Sequence, residues 1–294
     1  HYDLSIVQYD RNLATYNPAL FYTLKPGVTG KFQNKPFSTT ISANSFGLRD
    51  DEASLRKPSI ICLGDSYAMG WGVEQQETFA QQLEKLSGKK VLNAGISSYG
   101  TARETILFNQ LDTSALAFVV IQYSSNDYDE NCALQSNQNR LPISSRSEYN
   151  SLVRRQHFAR RYFPGKYFLL ISQVFIKQQI NKLVPVFKMY GSDEHKTDEK
   201  EHARVFINVL KHSGINFNKV QVIVMAVGDF PGFGSEFLQE VKSNSFGSNL
   251  VLLETNDVLT DEDWFIMDRH LKPSGHRKLA QRLWQVIGKD SVGP

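Results

Sequence analysis

The residues best suited to chemistry lie in a loop at 64–73, which opens with Gly-Asp-Ser and so places a serine at Ser66. The apolar run at 58–63 predicts a buried strand before this loop, and the amphipathic stretch at 78–86 predicts a helix after it. Ser66 is therefore expected at a sharp turn from strand to helix, where its hydroxyl can be exposed beside backbone N–H groups. This arrangement suits nucleophilic attack on an acyl group. A serine at such a turn can instead cap the following helix.

Three later segments place glycine or polar residues at the ends of predicted strands or just before the last predicted helix. The alternation of apolar runs with helical stretches predicts a parallel sheet with helices on both faces. Ligands bind such sheets at the carboxyl ends of their strands. The segments are 91–101 with Gly95, 117–127 with Asn126, and 268–276 with Asp268 and His270, ahead of a helix predicted at 277–287.

Together the four segments resemble the sequence blocks of the SGNH hydrolases, a branch of the GDSL lipases and esterases. The blocks occur in family order and span residues 58–290. The resemblance implies a three-layer α/β/α sandwich with a central parallel sheet, similar to flavodoxin. It also implies that Ser66 is the nucleophile, His270 the general base and Asp268 the acid that orients the imidazole. The implied oxyanion hole consists of the N–H of Ser66, the N–H of Gly95 and the carboxamide of Asn126.

Two positions depart from the family pattern. Ser124 stands where the family usually has a glycine, two residues before its asparagine. The family's aspartate usually lies three residues before the histidine, but that position is Met267 here, and Asp268 is one residue closer. A shift of one residue in a loop does not prevent a hydrogen bond between aspartate and histidine. Asp261 and Asp263 are the weaker alternatives for the orienting acid.

Each assignment has a structural alternative. Asn126 can be a turn residue, because Asn-Asp pairs favour turns, and Gly95 can be a glycine that only the backbone requires. His276 is a second candidate base, but it falls at the start of a predicted helix without an acid before it, and we interpret it as structural. Asp65 and Asp127 are expected to brace their loops through hydrogen bonds rather than to take part in the reaction.

The sequence lacks the motifs of several other classes of enzyme and binding protein. It has no Gly-x-Ser-x-Gly elbow, no phosphate-binding loop and no dinucleotide fingerprint. No His/Cys cluster has zinc spacing, so neither a metal nor a cofactor is expected. Cys62 and Cys132 do not make a disulfide framework. No apolar run reaches the length of a transmembrane helix, and no nucleic-acid recognition motif is present.

The chain of 294 residues is expected to form a single domain, because the four blocks run through most of it. It begins with a histidine rather than a methionine, which indicates a processed or trimmed chain from which an upstream signal or anchor can have been removed. Residues 44–49 resemble the lead-in to the serine block of many bacterial members, which favours an extracytoplasmic location, periplasmic or membrane-anchored. The predicted parts of the domain at 1–294 are an N-terminal β extension at 1–56, a catalytic core at 57–132 and 199–294, and a basic, partly helical insertion at 133–198.

The insertion is strongly basic: residues 140–190 contain ten Lys or Arg and one acid, Glu148, whereas the whole chain carries a net charge of only +3. An apolar stretch at 167–176 predicts a helix within it that is too short to span a bilayer. Three interpretations are open. The segment is an ordinary insertion with a solvated basic face, a wall of the substrate site that favours an anionic glycan or lipid, or a surface that rests on an anionic membrane.

These observations predict a serine-dependent ester hydrolase that acts through an acyl-enzyme, on O-acyl esters such as the acetyl ester of a carbohydrate. The expected partner is therefore a small-molecule or glycan ester, with no nucleic acid involved. One alternative is an acyltransferase that uses the same triad to acylate a polysaccharide. Another is a glycan-binding module that has lost its activity.

Overall fold

The N-terminal part of the chain forms two small antiparallel ladders. The computed structural model describes residues 5–160, 164, 165, 168, 172, 198–228, 233–244, 249–266 and 268–290. The ladders pack Leu13, Phe32 and Ile41 into a small apolar cluster with Trp71 from the loop after the nucleophile. Their strands are β1 (Ala14–Asn17) with β2 (Phe21–Leu24), and β3 (Thr29–Asn34) with β4 (Phe37–Ser42).

A central sheet of five parallel strands follows, in the order β6-β5-β7-β8-β9. The strands are short and almost wholly apolar, as is typical of parallel strands that are covered on both faces. In β5, Ile60 and Cys62 point to one face, whereas Ile61 and Leu63 point to the other. The strands are β5 (Ile60–Leu63), β6 (Val91–Asn93), β7 (Phe118–Tyr123), β8 (Gln221–Ala226) and β9 (Leu250–Leu253).

Helices cover both faces of this sheet. In the order of the chain they are α1 (Ser66–Met69), α2 (Phe79–Ser87), α3 (Thr101–Phe108), α4 (Asp127–Ser136), α5 (Arg146–Arg160), α6 (Glu199–Lys211), α7 (Ser235–Ser243) and α8 (Pro273–Asp290). Apolar residues of α2 and α8 pack on one face of the sheet, and those of α3, α6 and α7 pack on the other. The predicted three-layer α/β/α sandwich is therefore confirmed.

Most predicted elements lie within a few residues of the observed ones, and the differences come from helix ends. The helix predicted at 78–86 begins at Phe79, because the Thr78 side chain caps it by accepting the N–H of Gln81 at 3.3 Å. The C-terminal helix begins at Pro273 rather than at 277, in accord with the preference of proline for the first turn. The apolar stretch predicted as a helix at 167–176 falls almost entirely outside the described residues.

Candidate active site

The nucleophile turn is shaped by Gly64 and Asp65. Gly64 has φ 152°, and a Cβ added there would lie 2.5 Å from the side-chain oxygen of Gln122, so only glycine fits. Asp65 is the N-cap of α1, and its carboxylate accepts the N–H of Tyr67 at 2.9 Å. The interpretation of Ser66 as the cap is therefore wrong. Because Asp65 caps the helix, the Ser66 hydroxyl remains available, and the Ser66 N–H at the first helical position has no intrahelical acceptor.

Ser66, His270 and Asp268 form one continuous chain of hydrogen bonds. The Ser66 hydroxyl lies 2.8 Å from His270 Nε2, although the two residues are 204 positions apart in the sequence. The other ring nitrogen, Nδ1, donates to Asp268 Oδ1 in a short hydrogen bond. The Asp268 side chain is 3% exposed and that of His270 is 20% exposed. A buried carboxylate thus fixes the imidazole while the imidazole edge faces the serine, as nucleophile activation requires.

The loop at 265–270 explains how an acid two residues before the histidine can reach it. Arg269, between them, has φ 57°, a left-handed conformation that folds the loop back. The N–H of Arg269 donates to the Phe265 carbonyl at 3.0 Å, and the N–H of Phe265 donates to the His270 carbonyl at 2.8 Å, so the loop is closed on itself. The alternative acid Asp263 binds Lys278 at 2.6 Å instead.

Two aromatic rings flank the imidazole. The Trp71 ring stacks on His270 with 5.1 Å between centroids and 23° between planes. Tyr67 lies 5.1 Å from the imidazole, and its hydroxyl donates to the Arg269 carbonyl at 3.2 Å. Both rings belong to the segment at 66–71, so the same segment supplies the nucleophile and restrains the orientation of the base.

Asn126 is held by a polar network that joins the loops after β5 and β7. The Ser124 hydroxyl lies 2.8 Å from Asp65 Oδ2 and makes a short contact with the side-chain oxygen of Asn126. Burial raises the pKa of Asp65, while hydrogen bonds from Tyr67, Ser124 and Asn126 act in the opposite direction. A carboxamide nitrogen carries two protons, so Asn126 can bind Asp65 and retain a second donor. The network forms at Ser124, the position where the resemblance had led us to expect glycine.

Asp127 braces a neighbouring loop. Its carboxylate accepts the hydroxyl of Thr101 at 2.6 Å and the backbone N–H of Thr101 at 3.1 Å. It therefore anchors the start of α3 to the start of α4. The bracing roles predicted for Asp65 and Asp127 are confirmed by these contacts.

The backbone requires a glycine at position 95, which is one of the two interpretations that the sequence left open. A Cβ at this position would lie 2.4 Å from the backbone nitrogen of Met69 and 2.6 Å from the carbonyl carbon of Ala68. The glycine therefore lets the loop after β6 pack against α1. Its N–H donates to Asn93 Oδ1 at 3.0 Å, so it can take the predicted oxyanion role only by sharing that proton.

The second histidine considered, His276, is 1% exposed and lies in the first turn of α8. Its Nδ1 accepts the N–H of Phe79 at 3.2 Å, and its ring stacks on that of Phe79. Burial, with smaller contributions from Arg49 and His270, lowers the pKa of His276 to about 3. A neutral, buried imidazole of this kind is structural, as predicted.

The sequence analysis missed the role of Arg49, which is fully buried behind the nucleophile loop. Its guanidinium donates to the carbonyls of Gly70 at 2.5 Å, Val73 at 2.7 Å and Thr40 at 3.0 Å. The side chain thus ties the end of α1 to strand β4. The lead-in at 44–49 was the only signal, and a motif alone does not reveal what its arginine binds.

Three further findings concern metal binding, the cysteines and the membrane. Among the described residues, no group of three or more His, Cys, Asp or Glu side chains is placed to hold a metal ion. Cys62 is buried and Cys132 is half-buried, and both are free thiols. In the same described part of the chain, no helix is both long and apolar enough to cross a membrane.

The fold and the serine-histidine-aspartate geometry define a class of α/β protein equipped for acyl chemistry. No family model matches the sequence, and no curated protein does either. Several solved structures have a similar fold at low identity. One is assigned to the G-D-S-L family of lipolytic proteins, from Desulfitobacterium hafniense DCB-2; it has 13% identity and a TM-score of 0.42, over 79% of this chain and 99% of that chain.

Two others are carbohydrate esterases of family 2. The enzyme with a carbohydrate-binding domain from Corynascus thermopiles (Myceliophthora fergusii) has 10% identity and a TM-score of 0.46, over 79% of this chain and 66% of that chain. The enzyme from Clostridium thermocellum, solved in complex with cellohexaose, has 11% identity and a TM-score of 0.44, over 79% of this chain and 64% of that chain. The present chain thus spans slightly less than two thirds of each esterase, and these are similarities of fold.

Proposed function

We propose that this protein is a serine-dependent ester hydrolase of the SGNH type, which acts through an acyl-enzyme on O-acyl esters of a carbohydrate. The observation that supports the proposal most directly is the continuous hydrogen-bonded path from Ser66 through His270 to Asp268. A serine hydroxyl is a weak nucleophile at neutral pH, and a positioned imidazole removes this limitation.

In the first half of the proposed reaction, Ser66 Oγ attacks the ester carbonyl while His270 Nε2 takes the hydroxyl proton. The carbonyl oxygen becomes an oxyanion, for which the Ser66 N–H and a carboxamide proton of Asn126 are the proposed donors. Loss of one such donor typically costs about 3–4 kcal/mol of activation free energy. The tetrahedral intermediate then collapses with loss of the sugar oxygen, which takes the imidazolium proton and leaves as a hydroxyl, and the acyl group remains on Ser66.

In the second half, a water molecule replaces the sugar. His270 removes a proton from that water, the resulting hydroxide attacks the acyl-enzyme, and collapse returns the proton to Ser66 Oγ. The products are the free acid and the regenerated enzyme. A sugar hydroxyl that enters in place of water would give acyl transfer by the same steps, so the fate of the acyl group separates hydrolysis from the acyltransferase alternative.

The test is Ser66→Ala, assayed on p-nitrophenyl acetate and on an acetylated oligosaccharide, with free acetate and transferred ester measured separately. We expect kcat to fall by at least about 10³-fold, since removal of the nucleophile abolishes the acyl-enzyme route. The matched control, Ser114→Ala, replaces an exposed serine in the turn before β7 and should keep wild-type activity. A fluorophosphonate should label the wild type at Ser66. Full activity in Ser66→Ala, or no labelling of the folded wild type, would disprove the proposal.

A further inference from the structure

A groove lies between the N-terminal segment at 6–16 and helix α5. It consists of two cavities of 390 and 650 Å³ that share Arg11 in their linings. These volumes are in the range of small-ligand sites. The first cavity is lined by polar and aromatic side chains, principally Arg11, Tyr16, Arg146, Tyr149, Asn150 and Arg154.

The groove is positively charged. Arg11, Arg146 and Arg154 are all exposed, and within the described part of the chain none of the three forms an ion pair. Within the described residues, Asp10 lines the second cavity and Glu148 is close enough to influence Tyr9, so both carboxylates oppose this charge in part. Arginine is the side chain best suited to hold carboxylates or phosphates in two-point contacts. The groove therefore favours a ligand with several negative charges.

Two half-buried tyrosines, Tyr9 and Tyr16, line the groove and pack against the buried Tyr149. The ring of Tyr149 lies 6.0 Å from those of both Tyr9 and Tyr16, and the guanidinium of Arg146 lies 5.0 Å above the Tyr16 ring. Aromatic rings offer flat apolar faces together with a polar edge. Tyr149 is 4% exposed and supports the other two rings, whereas Tyr9 and Tyr16 are half-buried. The open parts of Tyr9 and Tyr16 can pack against the C–H faces of sugar rings while the arginines bind acidic substituents.

The groove is connected to the edge of the sheet that carries the candidate active site. The Tyr149 hydroxyl donates to the Gln8 carbonyl at 3.1 Å, and Gln8 Nε2 donates to Ser98 Oγ at 3.0 Å. Ser98 lies in the loop that follows Gly95 and leads into α3. Two hydrogen bonds thus fix the wall of the groove relative to a loop next to the nucleophile.

From these observations we infer that the groove binds a polysaccharide segment bearing carboxylates, of the uronic-acid kind, and that the ester bond cleaved at Ser66 is carried on such a polymer. The second part of this inference rests on the proposed function, whereas binding in the groove does not. A concave, polar lining suits a glycan chain better than a bilayer. Phe158 on α5 is exposed and lies outside both cavity linings. An exposed aromatic side chain can insert into a bilayer, so an anionic membrane is the competing ligand in the test.

The experiment measures binding by the full chain carrying Ser66→Ala, so that esters are not consumed. The probes are polygalacturonate oligomers, neutral galactan oligomers of similar length, polyglutamate, and vesicles of phosphatidylglycerol. Arg11→Gln and Arg154→Gln are introduced singly and together, and Arg56→Gln is the matched control at an exposed arginine outside the groove. All variants are also made with Ser66 intact, and their hydrolysis of p-nitrophenyl acetate is compared.

We expect polygalacturonate to bind and neutral galactan not to bind. Each arginine variant should weaken binding about two- to five-fold, as exposed charge pairs usually do, and the double variant about ten-fold. Hydrolysis of p-nitrophenyl acetate should not change. Wild-type binding by the double variant, equal binding of polyglutamate, or arginine-dependent binding of vesicles without polygalacturonate would overturn the inference. Arginine-dependent binding without any Ser66-dependent hydrolysis would instead remove the proposed function and leave the groove as a glycan-binding site.

Discussion

Replacement of Asp268 by asparagine tests the role of the orienting acid. In the structure, the Asp268 carboxylate accepts the His270 Nδ1 proton and is almost fully shielded from water. In serine triads generally, this substitution leaves the geometry intact but lowers kcat about 10⁴-fold, because the imidazole adopts the wrong tautomer. The amide group of asparagine can present either a donor or an acceptor to Nδ1, so part of the population would carry the proton on Nε2.

The structure argues for a smaller loss here. His270 Nδ1 also lies 3.2 Å from the backbone carbonyl oxygen of Asp268, and this acceptor survives the substitution. It can keep the proton on Nδ1, although it supplies no negative charge to stabilise the imidazolium. We therefore expect kcat for Asp268→Asn to fall by about 10²- to 10³-fold, which corresponds to about 3–4 kcal/mol of activation free energy.

The assay is kcat for ester hydrolysis together with the rate of fluorophosphonate labelling, both across a range of pH. Asp261→Asn is the matched control, since Asp261 is exposed in the neighbouring loop, and it should behave like the wild type. Thermal unfolding of both variants separates a local effect from a loss of folded protein. If folded Asp268→Asn keeps more than a third of the wild-type kcat and labels equally fast, Asp268 is not the acid that supports the base.

Two further predictions concern the scaffold around the site. Arg49→Met removes the buried donors to the carbonyls of Gly70 and Val73, and it should lower the free energy of unfolding by about 3 kcal/mol because those carbonyls lose their partners. Urea unfolding measures this loss, with the exposed Arg56→Met as the control. A loss no larger than that of the control would contradict the prediction. His276 has a pKa lowered to about 3, chiefly by burial, so its contribution to stability is complete above about pH 6.5 and is lost as pH falls towards 3. His276→Gln should reduce the slope of unfolding free energy against pH by up to about 1.4 kcal/mol per pH unit in that window. Equal slopes for the wild type and the variant would refute this prediction.

The architecture could be predicted from local patterns because parallel strands buried on both faces have a simple signature. The apolar runs at 58–63, 117–123 and 220–227 correspond to β5, β7 and β8, and each is bounded by polar residues or turns. The short helix α1 was not predicted. Its four residues are too few to produce a helical period, and its end at Gly70 depends on contacts with residues that are distant in the sequence.

The residues of the triad were also accessible from the sequence, but their contacts were not. The order of the four blocks identified Ser66, Asp268 and His270, and the structure brings these three together. The position of Asp268, closer to the histidine than the family pattern, is accommodated by the left-handed conformation of Arg269, which no side-chain pattern reveals. The reason for a glycine at position 95 depends on its packing against α1, which is likewise a tertiary contact.

The placement of Asp65 directly before Ser66 explains why the turn that carries the nucleophile can be both stable and reactive. A helix N-terminus needs a side-chain acceptor, and serine commonly supplies it, which would occupy the hydroxyl that the reaction requires. Here Asp65 supplies that acceptor with one oxygen and receives the Ser124 hydroxyl with the other. The same carboxylate therefore satisfies α1, connects the loop after β5 to the loop after β7, and leaves the Ser66 hydroxyl to His270. A substitution at Asp65 is thus expected to disturb both the helix end and the position of Asn126, because one buried group holds the two.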